Sequence, residues 1–547
     1  MSIKWNDLET LVGIVSDIAD SIQKEHDAFL TIDPDVMGSV WEVEKFIRSK
    51  RRIVYGGTAL NAILSSENQF YDPDTDVPDW DFFTPTPIQD AMDLADILVK
   101  EGYTDVQVNP AVHHGTFKVF SSNVGVADIT YMPRGLYQFL LKQEVIDING
   151  IMYVGANFLR MSAYLELSRP DGDVSRWEKV MKRISLVNQE YPIKPAGSGS
   201  GSRRPAPLPL EDYDAFFKDL LGLLSESPEK NSNALMGTTA ISFIEQMLQK
   251  KISESKGLRP RIKLEPPDSS FPIILSRNPE EFALKVHTLI MKYSPEYTHL
   301  TTSLIHSNVE FLGDYCIIED TKTHTIFACI LGTGNGCQAI YEYKYRQGKQ
   351  TRKIKIASVE TSLYLYFALR YADSFPMLAD SLLESCEKLL GYHYAILRGQ
   401  GQGLLPALPK ECIGKQETLI DIRKERSQHI AELIKTHKTR TAEYYSRNIR
   451  YNGGNTSLRE KILVAIKEGG RGGESRIFDK TRKKTKITKL YGISPEGTLE
   501  NYQESDDSDD PDDPDDSDDS DESNESFDLL SSKSKSKSKS KTRKRKT

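Results

Sequence analysis

Asp79 and Asp81 stand one residue apart in the run Asp79-Trp80-Asp81-Phe82-Phe83. In a strand, alternate side chains share a face, so the two carboxylates point together while Trp80 and Phe82 turn to the opposite, buried side. Upstream, the apolar Ile53-Val54-Tyr55 runs into Gly56-Gly57-Thr58. Two glycines at a strand-to-helix turn let backbone amides approach a phosphate, with the helix N-terminus and the Thr58 hydroxyl as further donors. Downstream, Val124-Gly125-Val126-Ala127-Asp128-Ile129 sets a single carboxylate among small and apolar neighbours. A buried, unpaired charge is costly, so Asp128 needs a reason to be there. Three hard oxygen ligands beside a phosphate cradle suit Mg2+ or Mn2+, and two such ions can clamp an in-line displacement at phosphorus. The predicted chemistry is nucleotidyl transfer, with Asp79, Asp81 and Asp128 as the catalytic and metal-binding residues.

Asp-x-Asp alone is weak, since Asp72, Asp74 and Asp76, and Asp171 with Asp173, also match it. A calcium loop starting at Asp72 would need Gly at its sixth position and Glu at its twelfth; those positions hold Val77 and Phe83. Arg176, Lys179 and Arg183 fall on one helical face. They read equally as a cationic wall for a triphosphate or RNA, or as an exposed helix with internal pairs. His113-His114-Gly115 lacks the partners a zinc site needs and reads as a turn. Tyr341, Tyr343 and Tyr345 alternate with Lys344 and Arg346, and Lys353 follows in the next strand. Stacking and charge of this kind serve single-stranded nucleic acid, but the alternation also fits one packed sheet face, the preferred reading. The candidate RNA contacts are Lys344, Arg346, Lys353, Arg440, Arg447 and Arg450.

The elements that must hold these residues read as follows. Helices fill residues 1–50, the second near 37–49, ahead of the strand 53–55. A helix near 87–102 and strands at 104–109, 116–121 and 124–131 come next, and 135–190 reads as helical. Residues 195–209, Pro-Ala-Gly-Ser-rich, form a linker. A second α+β unit spans 210–450, with helices at 211–225, 233–251, 279–293 and 359–372. Its strands lie at 313–319, 325–331, 338–346 and 352–357. A basic, Gly-containing extension covers 451–494, and 495–547 reads as a disordered tail.

The net charge of −8 hides a strong asymmetry. Glu504 to Asp528 holds 15 acidic residues and no basic one, and Lys533 to Lys546 holds 9 basic residues and no acidic one. The rest is balanced, at 64 acids against 62 bases. Within it, residues 423–490 carry 19 Lys or Arg against 7 Asp or Glu, a field that suits polyphosphate. The tail fits an electrostatic mimic, a solubility device or a tether, and its KTRKRK end is like a nuclear-localisation patch. Five cysteines without zinc spacing argue for a reducing compartment and against a disulfide scaffold. No leader or membrane-spanning stretch is read, so the expectation is an intracellular protein without membrane contact.

The ordered set resembles the signature of the DNA polymerase β-like nucleotidyltransferase superfamily. Within it, VYGGTALNAIL, VPDWDFFTP, VGVADITYMP and SRPDGDVSRWEKVMKR are similar to the poly(A) polymerase catalytic subunits of poxviruses and Mimivirus-like giant viruses. One departure is the 21-position gap from Thr58 to Asp79, longer than in many members; extra loop residues cost little closure entropy. The resemblance implies an α+β nucleotidyltransferase domain with N-terminal helices, over residues 1–194, and a second α+β domain that is a degenerate copy of it. It implies transfer of AMP from ATP to an RNA 3′-hydroxyl, with Gly56, Gly57, Thr58, Lys179 and Arg183 holding the triphosphate. It further implies two metal ions, a homodimer or a processivity subunit as partner, and action in the host cytoplasm or virion. The alternatives are a tRNA-end or small-molecule adenylyl transferase, and an inactive RNA-binding subunit.

Overall fold

The computed structural model describes residues 33–71, 76–193, 212–225, 232–244, 271–371, 379–398, 405–478 and 484–486, with gaps at 238–239, 308, 348–349 and 469–473. Isolated positions 18–19, 21–22 and 210 complete the described set. The linker 195–209, most of the first 32 residues and the charged tail lie outside it. The chain to Leu490 is one unit, and 491–547 is a second.

Helix α1 (Pro34–Lys50) starts where Asp33 accepts from the amides of Asp35 and Val36, and buries Val40, Val43, Phe46 and Ile47. It leads through β1 (Ile53–Val54) into α2 (Gly56–Ile63). Next come β2 (Trp80–Thr84), α3 (Pro87–Lys100), β3 (Gln107–Pro110), β4 (Thr116–Ser121) and β5 (Val124–Tyr131). The stretch expected to be helical over 135–190 is not continuous. Helix α4 (Arg134–Gln143) is followed by a hairpin, β6 (Val145–Ile148) and β7 (Ile151–Val154), before α5 (Ala156–Leu167) and α6 (Trp177–Glu190). Asn149 and Gly150 take φ of 53° and 83°, the paired left-handed conformation that a two-residue hairpin turn requires.

The second half begins with α7 (Tyr213–Leu224) and β8 (Asn233–Met236). The helix expected from 233 therefore starts later, with 240–244 helical. Ala234, Leu235 and Met236 are buried as a strand, and Gly237 at φ 85° ends it. Then follow β9 (Ile273–Ser276), α8 (Pro279–Tyr293), β10 (Leu300–Ile305), β11 (Tyr315–Asp320) and β12 (Thr325–Gly332). Strands β13 (Gln338–Gln347) and β14 (Gln350–Ala357) lead to α9 (Val359–Arg370) and α10 (Ala379–Arg398). The last segment holds β15 (Cys412–Ile413), α11 (Leu419–Lys435), α12 (Ala442–Asn448), β16 (Tyr451–Asn452), α13 (Thr456–Glu468), α14 (Ser475–Phe478) and β17 (Lys484–Lys486).

Two sheets result, and they repeat one topology. The first runs β16-β3-β4-β5-β2-β1-β7-β6, and the second, from its far end, β17-β10-β11-β12-β9-β8-β14-β13-β15. Each equivalent pair has the same sense: β2 with β5 and β9 with β12 are parallel, as are β1 with β7 and β8 with β14. The expected degenerate copy is thus present, down to the late strands β16 and β17 that close corresponding edges antiparallel to β3 and β10. The copies meet through equivalent parts. Ala339 N–H donates to Ser168 O at the end of α5 (2.9 Å), while Glu144 pairs with Arg370 at the end of α9 (2.7 Å).

Two further expectations change. Cys337 and Cys412 form a disulfide, with Cα atoms 5.4 Å apart, although the sequence spoke against one. The two lie 75 positions apart, and only β15 pairing beside β13 joins them. The cationic surplus of 423–490 is also partly internal. Arg426 donates to the carbonyls of Arg447 and Ala111, and Arg459 binds both Asp93 and Asp96 on α3.

Candidate active site

Strand β2 alternates as the sequence requires: Trp80, Phe82 and Thr84 are buried, and Asp81 and Phe83 face the other side. Its parallel pairing with β5 sets Asp81 directly opposite Asp128. Antiparallel β4 sets Lys118 opposite Asp128 in turn. One face of three adjacent strands therefore carries Lys118, Asp128 and Asp81 in a row. Asp79 precedes β2 by one residue, and its carbonyl accepts the Asp81 amide (3.2 Å). Lys118 was missed by the sequence reading; Nζ donates to both Asp128 oxygens, at 2.8 and 2.6 Å. Its signal was present in the buried Phe117 and Val119 on either side of it, but register could not be read from one strand.

The carboxylates strain against one another. Burial, then the charges of Asp79 and Asp128, push Asp81 up to about 7, with Lys118 and Arg176 pulling it back. Asp79 is raised as well, first by desolvation and then by Asp128, although its side chain reaches the solvent edge. A cation at this face would relieve that repulsion, and carboxylate oxygens are the donors that Mg2+ or Mn2+ prefers. The donor set fits a hard divalent ion.

Gly56 begins α2 at φ 73°, and a Cβ there would lie 2.5 Å from Asp81 Oδ2. Glycine is required twice over, for its backbone and for the carboxylate beside it. Thr58 behaves differently from expectation: its hydroxyl donates to Asp79 O (2.6 Å) and fixes the approach to β2 instead of facing a ligand. Its amide remains in the first turn of the helix. Tyr55 stacks on Phe83 with centroids 3.9 Å apart and shares a hydrogen bond with Thr130 (2.8 Å), flooring the site.

Helix α6 supplies the cations. Arg183 lies 3.2 Å from where a Gly57 Cβ would stand, and its guanidinium lies 4.1 Å from the Phe70 ring centroid. Lys179 is lowered chiefly by the Arg183 charge, then by burial and Arg176. Arg176 pairs with Glu166 at 3.3 Å. Arg183 is therefore brought to the glycine turn, and Lys179 lies near it on the same helix. His114 is half-buried, its ring sharing a hydrogen bond with Ser446 (3.2 Å), as a packing residue of the β3–β4 turn.

The other candidates lie elsewhere. Tyr341 is buried, Tyr343 stacks on Phe243 (4.5 Å) and Tyr345 donates to Leu221 O (3.1 Å), so this tyrosine face is packed. Lys344 is exposed and Lys353 pairs with Glu342 at 3.0 Å; the Arg346 side chain lies outside the described residues. Arg440 and Arg450 are exposed and Arg447 is half-buried.

The second copy has the same face without the carboxylates. Val54 pairs with Phe82, and Leu235 with Ile274, each two residues before a positive-φ glycine. The equivalents of Asp79, Asp81, Asp128 and Lys118 are then Phe271, Ile273, Cys329 and Ile317, all buried. A Cβ on Gly237 would meet Ile273 at 3.6 Å, as one on Gly56 would meet Asp81.

A family model described as poly(A) polymerase catalytic subunit matches residues 41–173. A protein of Acanthamoeba polyphaga mimivirus assigned as a poly(A) polymerase catalytic subunit is 32% identical over 206 residues, 37% of this chain and 34% of the relative. One assigned alike, from an African swine fever virus isolate (Tick/Malawi), is 31% identical over 157 residues, 28% of this chain and 32% of its own. The match thus spans about a third of each curated relative. The crystal structure of the Megavirus polyadenylate synthase aligns with a TM-score of 0.64 at 20% identity, covering 92% of this chain and 98% of that one. Over residues 41–173 the sequence is similar to viral poly(A) polymerase catalytic subunits, and over most of its length the chain shares the fold of the Megavirus polyadenylate synthase.

Proposed function

We propose that this protein is a template-independent polynucleotide adenylyltransferase, which transfers AMP from ATP to the 3′-hydroxyl of RNA and releases pyrophosphate. The observation that carries the reading is the register of Asp81 against Asp128 beside the positive-φ Gly56. In this reading Asp79, Asp81 and Asp128 hold two Mg2+ or Mn2+ ions, which when bound neutralise and orient the attacking and leaving oxygens. The amides at Gly56, Gly57 and Thr58 receive the triphosphate, and Lys179 and Arg183 balance its charge. Asp128 takes the proton of the primer hydroxyl, with Lys118 holding its oxygens in place. Tyr55 and Phe83 keep the floor rigid, so the rate comes from positioning and electrostatics. Residues up to 194 carry the chemistry, and 210–450, whose equivalent face is apolar, support it. The exposed Arg440 and Arg450 contribute to the path of the RNA, and the reaction takes place in the host cytoplasm.

The test is extension of a labelled oligo(A) RNA with each NTP supplied singly, beside Asp79→Ala/Asp81→Ala. Extension by ATP alone, abolished in the double variant, is the expected result. Extension that survives the substitutions would place the chemistry elsewhere. RNA binding without extension by any NTP would favour a non-catalytic subunit, and addition to tRNA ends only would favour another nucleotidyltransferase.

A further inference from the structure

The loop that leaves α2 returns to the glycine turn instead of running clear of it. Asn61 Oδ1 accepts the amides of Phe70 (2.7 Å) and Tyr71 (3.0 Å), folding residues 64–71 back along the helix. Glu190, on α6, accepts from the Ser65 amide and hydroxyl (both 2.8 Å) and from Asn68 (2.5 Å). At the other end of the loop, Arg183 lies over Phe70 and donates to the Tyr71 hydroxyl (3.3 Å). Loop and α6 are thus strapped together at two points. The strap delivers one polar atom to the turn: the Tyr71 hydroxyl would lie 2.5 Å from a Cβ on Gly57.

That position has a chemical consequence. A side chain on Gly57 would run into both groups, so the Tyr71 hydroxyl and Arg183 line the space beside the glycine turn at which a phosphate would be received. A phenol can donate to a phosphate oxygen while accepting from a guanidinium, so Tyr71 and Arg183 can serve a triphosphate together without rearranging their own bond. Phe70 holds the guanidinium by its ring face, which keeps Arg183 aimed while its remaining N–H groups stay free for the ligand.

We propose that Tyr71 is a triphosphate-binding residue, its hydroxyl forming with Arg183 a clamp over the Gly57 amide. This rests on the nucleotidyltransferase reading and deepens it: the substrate is recognised at this point by its polyphosphate and not by its base. Equilibrium binding to the full chain tests it, with Mg2+-ATP, Mg2+-tripolyphosphate and adenosine as probes, for the wild type, Tyr71→Phe and Tyr71→Ala. Tyr71→Phe keeps the ring and removes one bond to a charged group. It should weaken ATP and tripolyphosphate by about tenfold, leave adenosine unchanged and keep the melting temperature. In turnover the loss should appear in KM for ATP with kcat unchanged. Wild-type tripolyphosphate affinity in Tyr71→Phe would overturn the clamp, as would an equal loss for all three probes. Because binding is read directly, a clamp found in a chain that extends no primer would refute the polymerase reading alone.

Discussion

At the scale of single residues, the site is an arrangement that stability alone would not choose. Asp81 is raised to about 7 by burial and by two neighbouring carboxylates. Its folded value lies above the ordinary value near 4, so between those limits the native state keeps a proton that the unfolded chain has released. Its contribution is therefore most favourable below about pH 4 and is lost as pH rises through about 7. Asp81→Asn removes that penalty and should stabilise the metal-free protein at pH 8 by on the order of 2 kcal/mol, with the gain vanishing near pH 4. The same variant should lose at least about a thousandfold in extension rate. Denaturant melts at the two pH values check the first half; a destabilised Asp81→Asn at pH 8 would show that the carboxylate is satisfied in the native state. What the sequence could and could not say is visible here too. The turning of Asp81 away from Trp80 and Phe82 followed from strand period alone, whereas Lys118 and the turned-away Thr58 hydroxyl depend on register and on a loop closing across 21 positions.

At the scale of elements, strands marked by alternation, such as β2, β4 and β5, were legible, while β6, β7 and β8 were lost to the helices around them. The Asn149-Gly150 pair was the missed hairpin signal. Residues 442–468 and 474–478 could not be joined to the first sheet from sequence at all, because what holds them there is long-range. β16 adds to the edge at β3, and the two Glu474 oxygens accept the amides of Ile88 and Gln89 at the start of α3 (2.9 and 2.8 Å). Phe478 packs on Tyr131 (4.8 Å) and His114 (5.2 Å). His114 gives this docking a pH dependence. Burial, then the charges of Arg447, His429 and Arg426, lower it to about 3 from an ordinary 6.5. With the folded value depressed, the unfolded chain binds the proton first, so stability is intact above about pH 6.5 and falls as pH drops toward 3. His114→Gln cannot be protonated, and should flatten the acid limb between pH 6 and 4 by about 1–3 kcal/mol while matching wild type at pH 8. An unchanged acid limb would mean that the β3–β4 turn and α12 separate before His114 titrates.

At the scale of the whole molecule, one fold is used twice and charged once. The same order and sense over eight strands and a positive-φ glycine at the same point mark both copies, yet Phe271, Ile273 and Cys329 fill the positions of the three carboxylates. The second copy has the same scaffold but packs apolar side chains where the first has carboxylates, which is the cheaper state for a buried face. A protein built so should bind both of its Mn2+ ions in the first copy. Titration in the presence of a non-hydrolysable ATP analogue should saturate at about two ions per chain, and Asp79→Ala/Asp81→Ala should abolish both. Ile273→Asp, at the position equivalent to Asp81, should add no ion, because Phe271, Cys329 and Ile317 around it offer neither a second carboxylate nor a counter-charge. It should instead destabilise the chain by about 3 kcal/mol or more, the cost of a carboxylate placed in an apolar layer. A third ion bound by Ile273→Asp without loss of stability would mean that the second copy still holds an open, solvated cleft, and that its apolar face is not the core this packing makes it.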